Sequence, residues 1–185
     1  SALLAGAGLT FDTEPSRVDE RAVEEPLLAA GAAPGAIALH LAEAKALDVA
    51  ARRTGDLVLG ADQTLGLDTE RFVKPGSVAE ARLHLRRLRG RSHELHSALV
   101  LARDGAVLWR HVSVATMTMR DFSDAFLEDY LERAAEEVTG TVGCYRFEGP
   151  GIQLFETIEG DYFTILGLPL LPLLAELRNL GIVER

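Results

Sequence analysis

Asp62 stands at the end of an apolar run, Leu57-Val58-Leu59-Gly60-Ala61, and Gln63 follows it before the chain turns apolar again at Leu65. A carboxylate there can hold Mg²⁺ or orient a water, because the strand ends of open α/β sheets form the crevice where ligands bind. Lys74 lies twelve residues on, directly before Pro75 and a helix start at Ser77. An ammonium beside free backbone N–H groups suits an anion. Carboxylate plus lysine is a minimal set for phosphate-ester chemistry. Plainer readings stand beside this one. An Asp after a strand is a common turn former or cap, a lone lysine such as Lys74 is commonly solvated, and Lys45 can snorkel from a helix edge. Glu20, next to Asp19 in a charged stretch, suits a surface.

The stretch GCYRFEGPGIQLF is a second candidate. Gly143, Gly149 and Gly151 let backbone approach a ligand, Tyr145 and Phe147 would share one face of a strand, and Glu148 falls just before the turn. An aromatic patch beside a carboxylate could hold a flat ring; a core strand ending in a Gly-rich turn explains the same residues. His93 and His96 are three apart, which on a strand puts them on opposite faces and favours packing or hydrogen bonding over a shared metal. Ser97 lacks a His and Asp pattern for nucleophilic catalysis, and Cys144 lacks an activating partner.

These residues need elements to hold them. SALLAGAGLTF reads as the end of a helix followed by a strand, and APGAIALHLAEAKALDVAARR as a helix with Pro34 in its first turn and Ile37, Leu41 and Ala44 at helical spacing. A strand over 56–61 follows, giving the order β, α, β. Ser77 and Glu80 match the S-x-x-E capping box of a helix that Gly90 stops, with Val78, Ala81, Leu85 and Leu88 inward. Two alternating stretches meet at Asp104-Gly105, a strong hairpin signal. A helix starts at Ser123; residues 141–167 read as strands and turns, and LPLLPLLAELRNLG as a closing helix with Gly181 as its cap. The class is α/β, with a mixed, partly antiparallel twisted sheet flanked by helices.

The 185 residues, 48% hydrophobic, suffice for one compact domain or two closely packed lobes. No apolar run reaches the roughly 18 residues of a membrane span and no signal peptide is visible, so a cytoplasmic location is expected. A single cysteine excludes an internal disulfide framework. The net charge of −9 argues against a nucleic-acid polymer as partner and requires any phosphate site to be a local basic pocket.

Taken in order, GLTFD…VDE, LAEAKA, VLGADQ, KP with EARLHLRRLRGRSHELHSALVL, VGCYRFEGPGIQLFETIEGDYFTILGLPL and the terminal helix resemble the Maf family across essentially the whole chain. The resemblance implies one Maf-like domain over 1–185, with two lobes around a cleft, and hydrolysis of a nucleoside triphosphate between its α and β phosphates with Mg²⁺ or, alternatively, Mn²⁺. It implies that Asp62 and Glu20 bind the metal or activate water, and that Lys45 and Lys74 neutralise the triphosphate. It also implies a homodimer, a link to septum formation, and a Ser-rich segment with arginines upstream of Ser1.

Where the dTTP- and UTP-directed branch of the family has Asp-Thr and Gln-Gly, this chain has Asp62-Gln63 and Glu148-Gly149, similar to the branch that acts on 7-methyl-GTP. An ionised Glu148 only accepts hydrogen bonds, which suits the donor edge of guanine. N7-methylation makes that ring cationic, so Tyr145 or Phe147 could add a cation–π contact. Gln63 and Glu148 are thus expected in the base pocket. The alternatives are pyrimidine-directed pyrophosphatase activity and a nucleotide-binding cell-division regulator with little catalysis.

Overall fold

The computed structural model describes residues 2–68, 70–134 and 137–184. Its helices and strands run α1 (Ala2–Gly6), α2 (Glu20–Ala29), α3 (Pro34–Ala50), β1 (Val58–Leu67), β2 (Glu70–Phe72), α4 (Val78–Leu88), β3 (Ser92–Arg103), β4 (Ala106–Met119), α5 (Asp124–Arg133), β5 (Phe155–Glu159), α6 (Tyr162–Ile165) and α7 (Leu170–Asn179). The strands form one open sheet in the order β2-β1-β3-β4-β5, antiparallel at both edge pairs. The central β3–β4 hairpin turns at Asp104-Gly105, both residues with positive φ, as the favoured two-residue hairpin turn requires. Two compact units divide the chain, one comprising residues 1–63, 96–113 and 161–185, the other 64–95 and 114–160.

In the first unit, β3 separates two cores by the period-2 alternation of its side chains. Ala98, Val100 and Ala102 pack with Ala38, Ala42, Ala46 and Ala50 of α3. Leu99 and Leu101 pack instead with Leu170, Leu173 and Leu177 of α7. The four α3 alanines recur every fourth residue and so form one smooth stripe. Gly60 of β1 lies against that stripe: a Cβ there would stand 2.2 Å from the Ala42 carbonyl oxygen and 2.8 Å from the Ala46 Cβ. Only glycine permits that approach of helix to strand.

In the second unit, α4 and α5 start where Ser77 and Ser123 accept the backbone N–H groups of Glu80 and Phe126. Glu80 reciprocates by accepting from the Gly76 N–H at 2.6 Å. Leu85 and Leu88 of α4 are buried, as are Leu127 and Leu131 of α5 and the strand residues Leu65, Leu95, Met117 and Met119. The β4–β5 register breaks between Thr118 and Met119, a bulge at the end of the edge strand. His93 and Tyr145 are both buried, and the imidazole Nε2 hydrogen-bonds the Tyr145 hydroxyl at 2.8 Å. Burial pushes the His93 imidazole down to about 4.

Four segments differ from expectation. Residues 9–19 follow α1 without strand structure, because side chains fasten them: Asp48 accepts from Ser16 Oγ and the Arg17 N–H, and Arg52 pairs with Glu14. Helix α2 was hidden by its charged sequence; the Asp19 side chain caps it by accepting from the N–H groups of Arg21 and Ala22. β1 continues to Leu67, so Asp62 is a mid-strand residue, the extension being paired with β2 through Leu65 and Phe72. Residues 140–149 lack strand structure and Pro150–Leu154 form a 3₁₀ helix where strands and turns were expected, while Asp161 caps the short α6. Among the described residues no helix is long and apolar enough to cross a membrane.

Two outcomes follow. Gly60→Ala should lower stability by about 2 kcal/mol, read as a fall in the urea midpoint, because the new methyl meets backbone rather than a yielding side chain. His93 binds a proton in the unfolded chain near pH 6.5 but in the folded chain only near 4. Stability is therefore fully present above pH 6.5 and falls by about 3 kcal/mol as the pH drops to 4. Urea titrations across that window should show this part of the slope missing from His93→Phe.

Candidate active site

The Ala42/Ala46–Gly60 contact brings α3 close enough for Lys45, on the next part of the helix surface, to reach β1. Its Nζ donates to Asp62 Oδ1 at 2.6 Å and pairs with Glu20 Oε1, at the start of α2, at 2.8 Å. One ammonium on α3 thus bridges two carboxylates drawn from two other elements, α2 and β1. Burial alone would lower the Lys45 pKa, but the hydrogen bonds and charges of Asp62 and Glu20 outweigh it and raise it above the ordinary 10.5. The lysine is therefore a fixed positive charge at neutral pH. Side-chain exposure is 12% for Asp62 and 55% for Glu20, so Asp62 is the oriented partner and Glu20 the one solvent reaches.

Gln63 behaves differently from its neighbour. Successive strand residues point to opposite faces, and with Asp62 turned to α3, the Gln63 amide nitrogen lies 2.9 Å from Ser97 Oγ and 3.1 Å from the Thr164 carbonyl. The Ser97 hydroxyl itself donates to Thr164 at 2.7 Å. Serving a base was the expected use of Gln63; in the structure its N–H donors tie β1 to β3 and α6. Ser97 and Thr164 had no sequence signal for this role, since the link spans 101 residues from Gln63 to Thr164.

A cavity of about 570 Å³ opens on the first unit, within the range of small-molecule sites. Lys45 lines it with Asp12, Glu14, Arg53 and Asp56, over apolar walls that include Leu57 and Leu59. The charged residues of 12–14 and 53–56 were not among the sequence candidates; their single charges in a polar stretch gave no motif.

The second unit holds the remaining candidates. Lys74 is exposed, three residues before the Ser77 cap. Glu148 is exposed on the turn after Phe147, whose half-buried ring stands 6.5 Å from Phe155. Tyr145 is a correction: at 6% exposure, with its ring edge-on to Phe155 and its hydroxyl on His93, it is part of the core and offers no face to a ligand. Phe147 does not share a strand face with it, because this stretch is turn. Burial pushes the Cys144 thiol up to about 12, which removes it as a nucleophile. The arginine-rich α4 segment is neutralised locally: Arg82 pairs with Glu128, Arg87 with Glu70, Arg89 with Asp124 and Arg91 with Asp68.

Asp62 and Glu20 thus converge on one fixed ammonium beside an open α/β sheet. The Maf family, described as Maf-like protein, matches residues 1–180, and the chain belongs to that family. It is 55% identical over 183 residues to the 7-methyl-GTP pyrophosphatase of Rhizobium meliloti (strain 1021), covering 99% of this chain and 92% of that one. Identity to the 7-methyl-GTP pyrophosphatase of Brucella suis biovar 1 (strain 1330) is 57% over 179 residues, covering 97% and 90%. The nucleoside triphosphate pyrophosphatase of Sphingopyxis alaskensis is 49% identical over 186 residues, covering 100% and 94%.

Proposed function

We propose that this protein is a nucleoside triphosphate pyrophosphatase that hydrolyses 7-methyl-GTP between the α and β phosphates, giving the monophosphate and pyrophosphate. The observation that carries the reading is the bridge of Lys45 to Asp62 and Glu20, in a chain whose relatives bear that activity in their names. Triphosphate oxygens compete with both carboxylates for the ammonium. When Lys45 turns to them, the Asp62 carboxylate can accept a proton from a water directed at the α-phosphorus. Lys45 then offsets charge on the departing pyrophosphate.

The donor set fits a divalent cation. Mg²⁺ is commonly held by one or two carboxylates together with substrate phosphates, and Asp62 and Glu20, already converging on one ammonium, supply those two. Among the described residues no group of three or more His, Cys, Asp or Glu could hold a metal ion without substrate. A bound Mg²⁺ would supply Lewis-acid polarisation of the phosphates and a more acidic water; Mn²⁺ has the same oxygen preference. The exposed carboxylate of Glu148 would accept from the N1–H and N2–H₂ edge of guanine, and its charge favours the cationic 7-methyl ring. Such an enzyme would clear modified nucleotides before polymerases use them. Cytoplasmic location and a homodimer complete the reading, the latter testable by light scattering.

Pyrophosphate release from 7-methyl-GTP, GTP, dTTP and UTP with Mg²⁺ tests it. We expect 7-methyl-GTP to be the preferred substrate and Asp62→Asn to lower its kcat by about 100-fold or more, in the range of lost acid–base catalysis. Lys45→Met should raise KM and lower kcat together. Preferred turnover of dTTP or UTP would leave the reaction standing and remove the base assignment; no turnover, with nucleotide bound, would favour the regulator.

A further inference from the structure

The turn that presents Glu148 has no ladder to fix it, since residues 140–149 carry no strand structure. Its shape is imposed by side chains instead. The Thr141 hydroxyl accepts from the Tyr145 N–H at 3.1 Å and donates to the Tyr145 carbonyl at 2.9 Å. The buried Tyr130 hydroxyl donates to the Cys144 carbonyl at 3.0 Å, at a residue with φ of 60°. Gly143 and Gly151 admit the fold of the turn on itself: a Cβ would lie 2.3 Å from the Tyr145 ring at the first and 2.5 Å from the Arg146 carbonyl oxygen at the second.

Tyr145 is the hub of these contacts, and His93 is what holds Tyr145. Its ring fills the space beside His93 and Phe155, with centroids 5.8 Å and 4.8 Å away. The hydroxyl bonds His93 Nε2 at 2.8 Å. His93 is 1% exposed, and among the described residues its Nδ1 has no hydrogen-bond partner. Burying an imidazole with half its polar capacity unmet is costly, and its Nε2 bond is given to the turn. Because His93 sits on β3, inside the sheet, that bond ties irregular backbone to a paired strand, three residues before Glu148.

We infer that His93 and Tyr145 are a positioning pair that sets where Glu148 presents its carboxylate, and thereby govern discrimination between 7-methylguanine and guanine without touching the nucleotide. The inference rests on the reading of Glu148 as acceptor for the base edge. Steady-state kinetics on 7-methyl-GTP and GTP test it in Tyr145→Phe, which removes one hydroxyl. The preference for 7-methyl-GTP should fall about fivefold through KM, the worth of one buried hydrogen bond, with kcat within about twofold of the parent. His93→Gln, which retains a polar partner for Tyr145, should recover most of the preference, and His93→Leu should not. In a Glu148→Gln background, Tyr145→Phe should change the preference no further.

A preference unchanged by Tyr145→Phe, where Glu148→Gln alone alters it, overturns the pair. So does an equal loss of kcat on both substrates with no change in preference, the mark of a merely structural role. A preference unmoved by Glu148→Gln defeats the reading of Glu148 itself and takes the inference with it. Should melting curves show Tyr145→Phe unfolded at assay temperature, the contrast between His93→Gln and His93→Leu decides in the same way.

Discussion

The close approach of helix to strand in the first unit, between the alanine stripe of α3 and Gly60 of β1, is the constraint on which the site depends. Lys45 lies just beyond Ala44 on that helix and Asp62 two residues beyond Gly60 on that strand, so the separation of the two backbones decides whether ammonium and carboxylate meet. A larger residue at 42, 46 or 60 would push them apart by an amount comparable to the hydrogen bond itself. The bridge at 2.6 Å is thus a product of small residues that have no chemistry of their own.

The same device, a rigid element lending its order to a less regular one, recurs. Asp48 of α3 and Arg52, two residues past the end of that helix, hold the strandless residues 14–17. Ser97 of β3 and Gln63 of β1 hold α6 by its carbonyls. His93 of β3 holds the turn before Glu148. In each case a polar side chain on an ordered element supplies hydrogen bonds that the irregular backbone cannot make with itself.

Local signals in the sequence were legible where local physics decides. The Asp104-Gly105 turn, the Ser77 and Ser123 caps, the α3 helix and the Gly181 stop all lie where the pattern puts them. Glu20, Lys45 and Asp62 were named as candidates, and their meeting depends on Gly60, whose place in an apolar strand was the available hint of close backbone approach. What the sequence hid was decided at long range. Period-2 aromatics at Tyr145 and Phe147 looked like a strand face, yet the three glycines and Thr141 turn the backbone and send Tyr145 into the core. The end of β1 was misplaced because its continuation is fixed by pairing with β2, and Gln63 could not be separated from Asp62 until the partners of each were known.

The pairing of the α4 arginines changes how an anion experiences this molecule. With those charges answered locally and the chain at −9 overall, a polyphosphate approaching from a distance meets net repulsion, and attraction is confined to short range, near individual basic side chains. Added salt therefore acts twice and in opposite senses: it screens the long-range repulsion that slows encounter, and it weakens the short-range attraction that retains the ligand. A polymer, which must lay many phosphates along the surface, feels mainly the first field, whereas a single nucleotide small enough to enter a pocket escapes it. Under the proposed function, the acidity of the chain would act as a filter on the size of the polyanion.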